Sequence, residues 1–327
     1  MRKICSIVFI VMIIGFKASA QDAATLIKEG QHFNTDHKYP EAVAKYKSAL
    51  AIEPNNAKAN YELAFSLFSS GKGLEGIPYL QKTVTANAGA PLTAGAYSLM
   101  GSIYSSANQS QKAIEAYRNG IKLDGANQRL FYNLGIAQYK AKHYPDAEAS
   151  FISAIRIDSS YASSVRMYAL SAFHQNKRAE ALLGFSRFLM LDPTGPQSAE
   201  AFGNLQSILN GGSLKPEAGY KPSAATKAAA SVQNALLIKV LNGFANRRYA
   251  STNALLTARL KAVFDPTAGS AYYFAPYFGK LSQTEHLQTF TRLISQKAYP
   301  ENAKWLANNA DKVDALQEWI RANAITR

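Results

Sequence analysis

The side chains that most often carry out chemistry in proteins are scattered along this sequence. The histidines fall singly, and none belongs to a His-Glu-x-x-His motif, a Gly-x-Ser-x-Gly motif or a phosphate-binding glycine loop. The sole cysteine, Cys5, lies near the N-terminus. We therefore expect no catalytic residue, no metal site and no cofactor, and we predict that the protein is not an enzyme. The histidines are His32, His37, His143, His174 and His286.

The remaining chemistry is that of binding, and its densest signal is the aromatic run AYYFAPYFGKL at residues 271–281. The run lies in a basic half: residues 211–327 hold 15 Lys and Arg against 7 Asp and Glu, whereas residues 21–210 hold 18 against 15. Arg247 and Arg248 are the best anion contacts there. Two interpretations stay open for the run. It is either an exposed loop for an envelope partner or a sugar polymer, or an irregular connection folded over a helical core, which we favour.

Residues 1–20 have the layout of a secretory signal peptide, with Arg2 and Lys3, an apolar run of 13 residues and the small-residue ending Ala18-Ser19-Ala20. A spanning helix needs roughly 20 apolar residues, so we expect cleavage before Gln21 and no transmembrane anchor afterwards. The mature chain would hold no cysteine and therefore no disulfide. We expect an exported protein, periplasmic or alternatively secreted. For such a protein, an anionic envelope component is a more plausible ligand for the basic half than nucleic acid, which we do not expect.

A repeated pattern indicates which elements would position a binding surface. The stretch KYPEAVAKYKSALAIEPNN at 38–56 has a counterpart, HYPDAEASFISAIRIDSS, at 143–160. A period of 34 residues with one three-residue insertion at 91–93 accounts for both, and each unit predicts two amphipathic helices joined by a short turn. The five units are residues 23–56, 57–90, 94–127, 128–161 and 162–195.

Small and large residues recur at fixed places in these units. Small residues let two helices approach closely, and large ones fill the space beside them. The first helices carry the small residues Gly30, Ala64, Gly101, Gly135 and Ala169, and the second helices carry Ala42, Gly76, Ala113, Ala147 and Ala181. Large residues follow at Tyr46, Leu80, Tyr117, Phe151 and Phe185. This regularity predicts core packing between neighbouring units.

This pattern resembles the tetratricopeptide repeat (TPR) family, whose period is about 34 residues. The resemblance implies an all-α fold, a right-handed α–α superhelix whose concave groove holds a peptide or protein partner. Some members bind a C-terminal carboxylate through lysines and asparagines on successive first helices. Ile27 and Gln31 stand at the corresponding places here, so we do not expect that mode. The closest match is in residues 23–56, with Gly30, Phe33, Ala42, Tyr46, Ala49 and Pro54.

The same resemblance assigns the groove to the first helix of each unit. Aromatic side chains give large contact areas, and arginine pairs with carboxylates, so we expect a protein or peptide partner with acidic and apolar side chains. Phe65, Ile136 and Leu170 alternatively pack against the preceding unit. The predicted partner-binding residues are Lys58, Tyr61, Phe65 and Phe68, then Arg129, Tyr132, Ile136 and Tyr139, and then Arg166, Leu170 and Phe173. The third unit offers Ser98, Ser102 and Ser105.

Beyond the repeats, residues 196–209 predict a capping helix, so that the solenoid spans 21–209, and the Gly- and Pro-rich residues 210–222 predict a linker. Residues 223–327 predict a small basic helical domain, which resembles no family that we recognise. Its four expected helices begin after Ser223, cover STNALLTARLKAVF and end at Asp265-Pro266, run from 282 to 297, and cover PENAKWLANNADKVDALQEWIRANA.

These features predict an exported, non-catalytic protein-interaction scaffold that binds its partner in the groove of the repeats. The alternative is an envelope-binding protein, in which the basic C-terminal domain contacts anionic or glycan components and the repeats present it. Salt dependence separates the two, because charge-driven binding weakens steeply as salt is added.

Overall fold

The computed structural model describes residues 22–86, 88–211, 219–244 and 247–324, and the regular secondary structure in these residues is all α-helical. The predicted signal peptide and residues 212–218 of the predicted linker lie outside the described residues. In the repeats the helices are α1 (22–35), α2 (Tyr39–Ile52), α3 (Ala57–Ser69), α4 (Gly73–Thr85), α5 (Ala90–Ser106), α6 (Ser110–Leu123), α7 (Gln128–Lys140), α8 (Tyr144–Ile157), α9 (Ala162–His174) and α10 (Arg178–Leu191). After them come α11 (Ser198–Leu209), α12 (Ala224–Asn242), α13 (Thr252–Thr267), α14 (Ala275–Ser282), α15 (His286–Ser295), α16 (Pro300–Ala307) and α17 (Ala310–Ala322).

The five helix pairs α1–α2 to α9–α10 follow the predicted period. Their second helices begin at the same position of each unit, and the residue two places earlier always has a positive φ, between 57° and 81°. Helix α8 starts at Tyr144-Pro145, where proline suits the first turn because its missing N–H is not needed there. One shared turn geometry in all five pairs confirms the predicted repeat. The five residues of positive φ are His37, Gly71, Asn108, Lys142 and Asn176.

Close approach at small residues builds the core of the repeats, as the sequence predicts. A Cβ atom added to Gly30 would lie 2.7 Å from the ring of Tyr46, and one added to Gly101 would lie 2.5 Å from the ring of Tyr117. Both tyrosines are buried. Each glycine therefore leaves room for the aromatic ring of the second helix in its own unit, and the ring fills that room.

The chain forms two compact units, residues 1–137 and 138–327. The second unit contains the end of α7, helices α8 to α11 and the C-terminal helices. Within it, α10 contacts α9, α11, α12 and α15, and almost all of its residues are buried. The C-terminal helices thus pack directly on the fifth repeat, and the predicted linker at 210–222 is not where the two compact units divide.

The C-terminal part has six helices in the residues that the structure describes, rather than the four that we expected. Ser223 caps α12 by accepting a hydrogen bond from the backbone N–H of Thr226, as predicted. The prediction that the second helix ends at Asp265-Pro266 is wrong, because α13 continues to Thr267. Pro266 lies so near the end of α13 that its missing donor removes one helical hydrogen bond only. The last predicted helix is divided into α16 and α17 at Asn308 and Asn309.

The aromatic run at 271–281 is not an exposed loop but packs on the helical core, as the favoured interpretation holds, although only residues 271–274 of it are irregular. Its second part forms α14, and Phe274, Tyr277, Phe278 and Leu281 are buried. Phe278 stacks on Phe264 of α13 with ring centroids 4.7 Å apart. The run is therefore part of the hydrophobic core of the C-terminal helices. None of the described helices combines the length and the apolar character that a bilayer crossing requires.

Candidate protein-interaction surface

Helix α3 presents the most accessible aromatic side chain among the predicted groove residues. Lys58, Tyr61, Phe65 and Phe68 follow one another at helical spacing, so they share one face of α3. Lys58 and Phe65 are exposed, and Phe65 keeps 39% of its surface accessible. Phe65 therefore does not pack into the core in the way that the alternative interpretation requires. Together with its partly exposed neighbours Tyr61 and Phe68, Phe65 forms an aromatic face that a partner could contact.

The two neighbours of Phe65 on this face support it by packing against the repeats. Tyr61 lies against Gly95 of α5, where an added Cβ atom would be 3.6 Å from the ring. Tyr61 and Phe68 also pack on the cluster that contains Leu80 and Ile103. Burial and the nearby carboxylate of Glu62 raise the pKa of Tyr61, so its hydroxyl stays protonated at neutral pH.

A hydrogen-bond network between the first and second repeats holds α3 in place. The Ser66 hydroxyl donates to the Asn34 side-chain oxygen at 2.8 Å, and the Asn34 amide donates to the hydroxyl of Tyr46 at 3.2 Å. Gln31 donates to the carboxylate of Glu62 at 3.3 Å. Gln31 is thus engaged within the repeats, and Ile27 is buried, which supports the expectation that these two positions do not form a carboxylate-binding site.

The third and fourth repeats contribute more polar residues to the first unit. Ser98, Ser102 and Ser105 of α5 are partly exposed, and the Ser102 hydroxyl lies 3.2 Å from that of Tyr117. On α7, Arg129 is exposed. Tyr132 and Ile136 of the same helix are partly exposed. The first unit therefore offers the exposed ring of Phe65 on α3, together with the exposed cations Lys58 on α3 and Arg129 on α7.

The predicted groove residues of the second unit are largely engaged with their own unit. Arg166 donates to the Glu200 carboxylate of α11 at 2.8 Å. Phe173 packs edge-to-face on Phe185, with centroids 5.8 Å apart, and Leu170 is buried. Tyr139 packs against Tyr144 and His174. For Leu170 this geometry agrees with the alternative of packing inside the solenoid.

Sequence reasoning missed a buried charge cluster at the start of α10. Lys177 contacts the carboxylate of Glu148 at 2.9 Å and that of Glu180 at 3.5 Å, and Gln175 donates to Glu148 at 2.6 Å. Burial, with repulsion from Glu148, raises the pKa of Glu180 to about 7. Burial alone would lower the pKa of Lys177, but the two carboxylates reverse this effect and raise it. One lysine thus balances the charge of only one of two buried carboxylates. The sequence signal for this cluster is the pair Lys177 and Glu180 at the start of a largely apolar helix.

A second missed residue, Arg187, joins α10 to the aromatic run. Its guanidinium lies 5.2 Å from the ring centre of Tyr277 and within 3.5 Å of the Ser159 carbonyl. Burial lowers the pKa of Arg187, whereas Tyr277 raises it. Burial raises the pKa of Tyr277 to about 12, against the opposing effect of Arg187. This contact binds the C-terminal helices to the fifth repeat through a desolvated cation.

A polar cleft of about 800 Å³ opens among α13, the α14–α15 connection, α16 and α17. Its charged groups are of both signs, with Lys261 and Lys312 near Glu285 and Asp311, and His286 also lines it. Lys261 donates to the Ser282 carbonyl at 2.6 Å. Trp305 also lines the cleft, and the described residues contain no group of three or more His, Cys, Asp and Glu side chains that could hold a metal ion. Arg247 and Arg248 are exposed and do not line it.

The repeat geometry agrees with the matches to known families. A TPR repeat model matches residues 37–71, and a tetratricopeptide repeat model matches residues 99–162 and 132–199. Residues 37–71 and 99–199 are therefore tetratricopeptide repeats. The crystal structure of YrrB, described as a TPR protein with an unusual peptide-binding site, superposes with a TM-score of 0.50 at 15% identity. It covers 58% of this chain and 97% of YrrB, and at this identity it supports the fold alone.

Two curated relatives of this TPR protein share a shorter stretch with it. The Hsp70-Hsp90 organizing protein 3 of Arabidopsis thaliana is 32% identical over 103 residues, and the Hsp70-Hsp90 organizing protein 1 of Glycine max is 30% identical over 103 residues. Each match covers 32% of this chain and 18% of the relative. The chain thus spans about a fifth of the length of the curated relatives that it matches.

Proposed function

We propose that this TPR protein is an exported, non-catalytic interaction scaffold that holds a segment of a protein partner on the first helices of its repeats. The observation that carries the proposal is Phe65, an aromatic side chain exposed on α3 between Tyr61 and Phe68. Protein contacts concentrate their binding energy in such aromatic anchors. The names and titles of the relatives, which describe an organizing protein and a peptide-binding TPR protein, support a protein or peptide partner.

Two exposed cations on the first helices suggest the chemistry of that partner. Lys58 and Arg129 are exposed in the first unit. A segment with an apolar or aromatic side chain and a nearby carboxylate would satisfy both kinds of group. The segment need not be a C-terminus, because Ile27 and Gln31 stand where the carboxylate-binding members carry lysine and asparagine, and the Gln31 amide already donates to Glu62. We further propose a periplasmic location, with secretion as the alternative, on the basis of the signal-like residues 1–20.

The test is affinity capture from an extract of the cell envelope, with residues 21–327 as bait. Phe65→Ala should lose at least ten-fold of a captured protein, because it removes the central apolar contact. Tyr161→Ala is a matched control, since Tyr161 is another aromatic residue with 39% of its surface exposed and lies outside the predicted groove positions. Circular dichroism checks that both variants fold. Equal capture by Phe65→Ala and the control would contradict the groove proposal.

A second candidate function is glycan binding by the C-terminal helices, and the polar cleft near Trp305 supports it. Side-chain amides and hydroxyls from Gln283, Gln288, Thr284 and Thr289 line the cleft, and its charges are balanced. Such a lining suits a neutral polar ligand better than a polyanion. Titration with chitohexaose, as a model of envelope glycans, should give binding that changes less than two-fold between 0.05 and 0.5 M salt. Steep loss with salt would instead favour the anionic component.

A further inference from the structure

An apolar cavity of about 540 Å³ opens at the edge of the first unit, where the turn between α3 and α4 meets the end of α5. Phe68, Leu74, Ile103 and Ala107 form most of its lining. Ile103 is buried, whereas Leu74 keeps 51% of its surface exposed. A volume of this size lies within the range of pockets that enclose an organic group.

The cavity lies beside the glycine with which α4 begins. The first residue of the second helix is Tyr39 in the first repeat and Tyr144 in the fourth, but Gly73 in the second. A Cβ atom on Gly73 would lie 3.0 Å from the ring of Phe68 and 3.3 Å from Ile103. The backbone therefore rests on Phe68 and Ile103, and no side chain from position 73 covers them.

The corresponding place in the second unit, between the fourth and fifth repeats, is filled with aromatic rings. Tyr144 stacks on His174 with centroids 4.9 Å apart, and Tyr139 contacts both rings. Counted from the start of each repeat, Tyr139 occupies the same position as Phe68, and His174 occupies the same position as Ser106. At this junction the first unit keeps one ring, that of Phe68, whereas Gly73 and Ser106 stand in place of Tyr144 and His174.

One ring at the filled junction comes from outside the repeats. Tyr220 belongs to the short segment before α12, and its ring lies edge-on to Tyr144 with centroids 4.7 Å apart. An added Cβ atom on the preceding residue, Gly219, would lie 3.4 Å from the Nζ atom of Lys142 in the repeat turn. The Gly-Tyr-Lys-Pro segment of this chain, which begins in a turn at Gly219, therefore already places a tyrosine at this edge of a repeat.

We propose that the cavity between the second and third repeats receives one aromatic side chain from an extended segment of a protein partner, as the fourth and fifth repeats receive Tyr220. The apolar lining would desolvate the ring, and Lys72 and Glu75 near it are exposed and would leave the segment's backbone in a polar setting. The site lies at the α3–α4 turn and does not depend on the groove proposal, although Phe68 belongs to both.

The probe is the peptide acetyl-Gly-Tyr-Lys-Pro-amide, which reproduces residues 219–222, beside the same peptide with alanine in place of tyrosine. Amide chemical shifts of residues 21–327 are followed during the titration. We expect saturable shifts at Gly71, Gly73, Ser106 and Ala107, with at least ten-fold weaker binding of the alanine peptide. Absence of shifts at these residues, or equal binding of the two peptides, would overturn the proposal.

Two substitutions assign the shifts to the cavity. Ser106→Trp fills it and should abolish binding, whereas Ser69→Trp, at the same position of the preceding repeat, should leave binding within two-fold. If circular dichroism shows that Ser106→Trp does not fold, Leu74→Ala takes its place, because Leu74 is largely exposed, and should weaken binding at least three-fold. Unchanged binding in the folded variant would overturn the proposal. Phe65→Ala should retain peptide binding, because Phe65 does not line the cavity. The cavity proposal and the groove proposal can therefore fail independently of each other.

Discussion

The second helices of the repeats have different surroundings in the two units of the molecule. In the first unit α2, α4 and α6 each keep an exposed face, whereas in the second unit α10 is covered by α9, α11, α12 and α15. One repeat position makes the contrast clear. Its residues Ala44, Pro78 and Glu115 are exposed in the first unit, but its residue in α10, Leu183, has no accessible surface.

This contrast teaches that position within a repeat does not by itself decide whether a residue is at the surface. Helix α10 carries apolar residues on every side, as its sequence RAEALLGFSRFLML indicates, so neighbouring helices must cover it all round, and they enclose its polar residues Arg178, Ser186 and Arg187 as well. The non-repeating helices supply the cover. The C-terminal helices are therefore required for the burial of the fifth repeat, which is a structural role besides any binding role.

Truncation of Leu183 should have the largest effect on this comparison. Leu183→Ala removes buried methyl groups and leaves a cavity between α10 and the surrounding helices, so we expect a loss of about 2–5 kcal/mol in the free energy of unfolding. Glu115→Ala, at the same repeat position in α6, should change it by less than about 0.5 kcal/mol. Urea denaturation followed by circular dichroism measures both. Similar values for the two variants would show that α10 is not a core helix.

The charge cluster at the start of α10 should make the stability of the second unit depend on pH. The pKa of Glu180 is raised from its ordinary 4.5 to about 7, so the folded state binds a proton more tightly than the unfolded chain does. The free energy of unfolding should therefore fall as pH rises from about 4.5 to about 7. The fall amounts to at most about 3 kcal/mol.

The variant Glu180→Gln isolates this effect. It should remove this contribution to the slope and be more stable than the unchanged protein at pH 8, because a neutral amide replaces a buried charge. Glu75→Gln, at an exposed position of α4 in the first unit, should leave the pH profile unaltered. Denaturation curves at pH 5, 6, 7 and 8 give the profiles. Parallel profiles for Glu180→Gln and the unchanged protein would contradict the assignment.

The repeats could be predicted from the sequence because their signals are local. The starts of the second helices, the small residue at Gly101 and its partner Tyr117 all follow from a 34-residue period and short-range packing, whereas α5 begins at Ala90 and includes the predicted insertion at 91–93. The C-terminal helices carry no such period, so the burial of Phe274 and Phe278 and the passage of α13 through Pro266 depend on long-range contacts. A run of aromatic residues is compatible with a core and with a surface location until the helices that pack against it are known.

The candidate site divides in the same way. Helical spacing correctly groups Lys58, Tyr61 and Phe65 on one face of α3, since that depends on one helix only. Spacing does not reveal that Arg166 pairs with Glu200, because Glu200 comes from a helix outside the repeats. The cavity beside Gly73 was not predicted either, because it depends on a side chain that is absent at this position rather than on one that is present.

Two glycines of α5 should respond in opposite directions to the same substitution. A Cβ atom at Gly101 would lie 2.5 Å from the buried ring of Tyr117, whereas one at Gly95 would lie 3.6 Å from Tyr61, an ordinary contact. Gly101→Ala should therefore lower the free energy of unfolding by about 1–3 kcal/mol. Gly95→Ala should raise it by about 0.5–1 kcal/mol, because alanine favours the helix. Thermal unfolding of the two variants side by side gives the sign of each change, and equal signs would refute the packing argument.

The smallest effect concerns Arg166, the predicted groove arginine of the second unit. Its partner Glu200 is 57% exposed, so the ion pair is solvated and should contribute less than about 1 kcal/mol to stability. A double-mutant cycle with Arg166→Ala and Glu200→Ala measures this coupling, and the solvated pair Lys45–Glu29 in the first unit gives the matched comparison. Because Arg166 already holds a carboxylate of its own unit, Arg166→Ala should also change partner capture much less than Phe65→Ala. A loss of capture as large as that of Phe65→Ala, with the fold intact, would mean that the partner displaces Glu200 and that Arg166 contributes to binding.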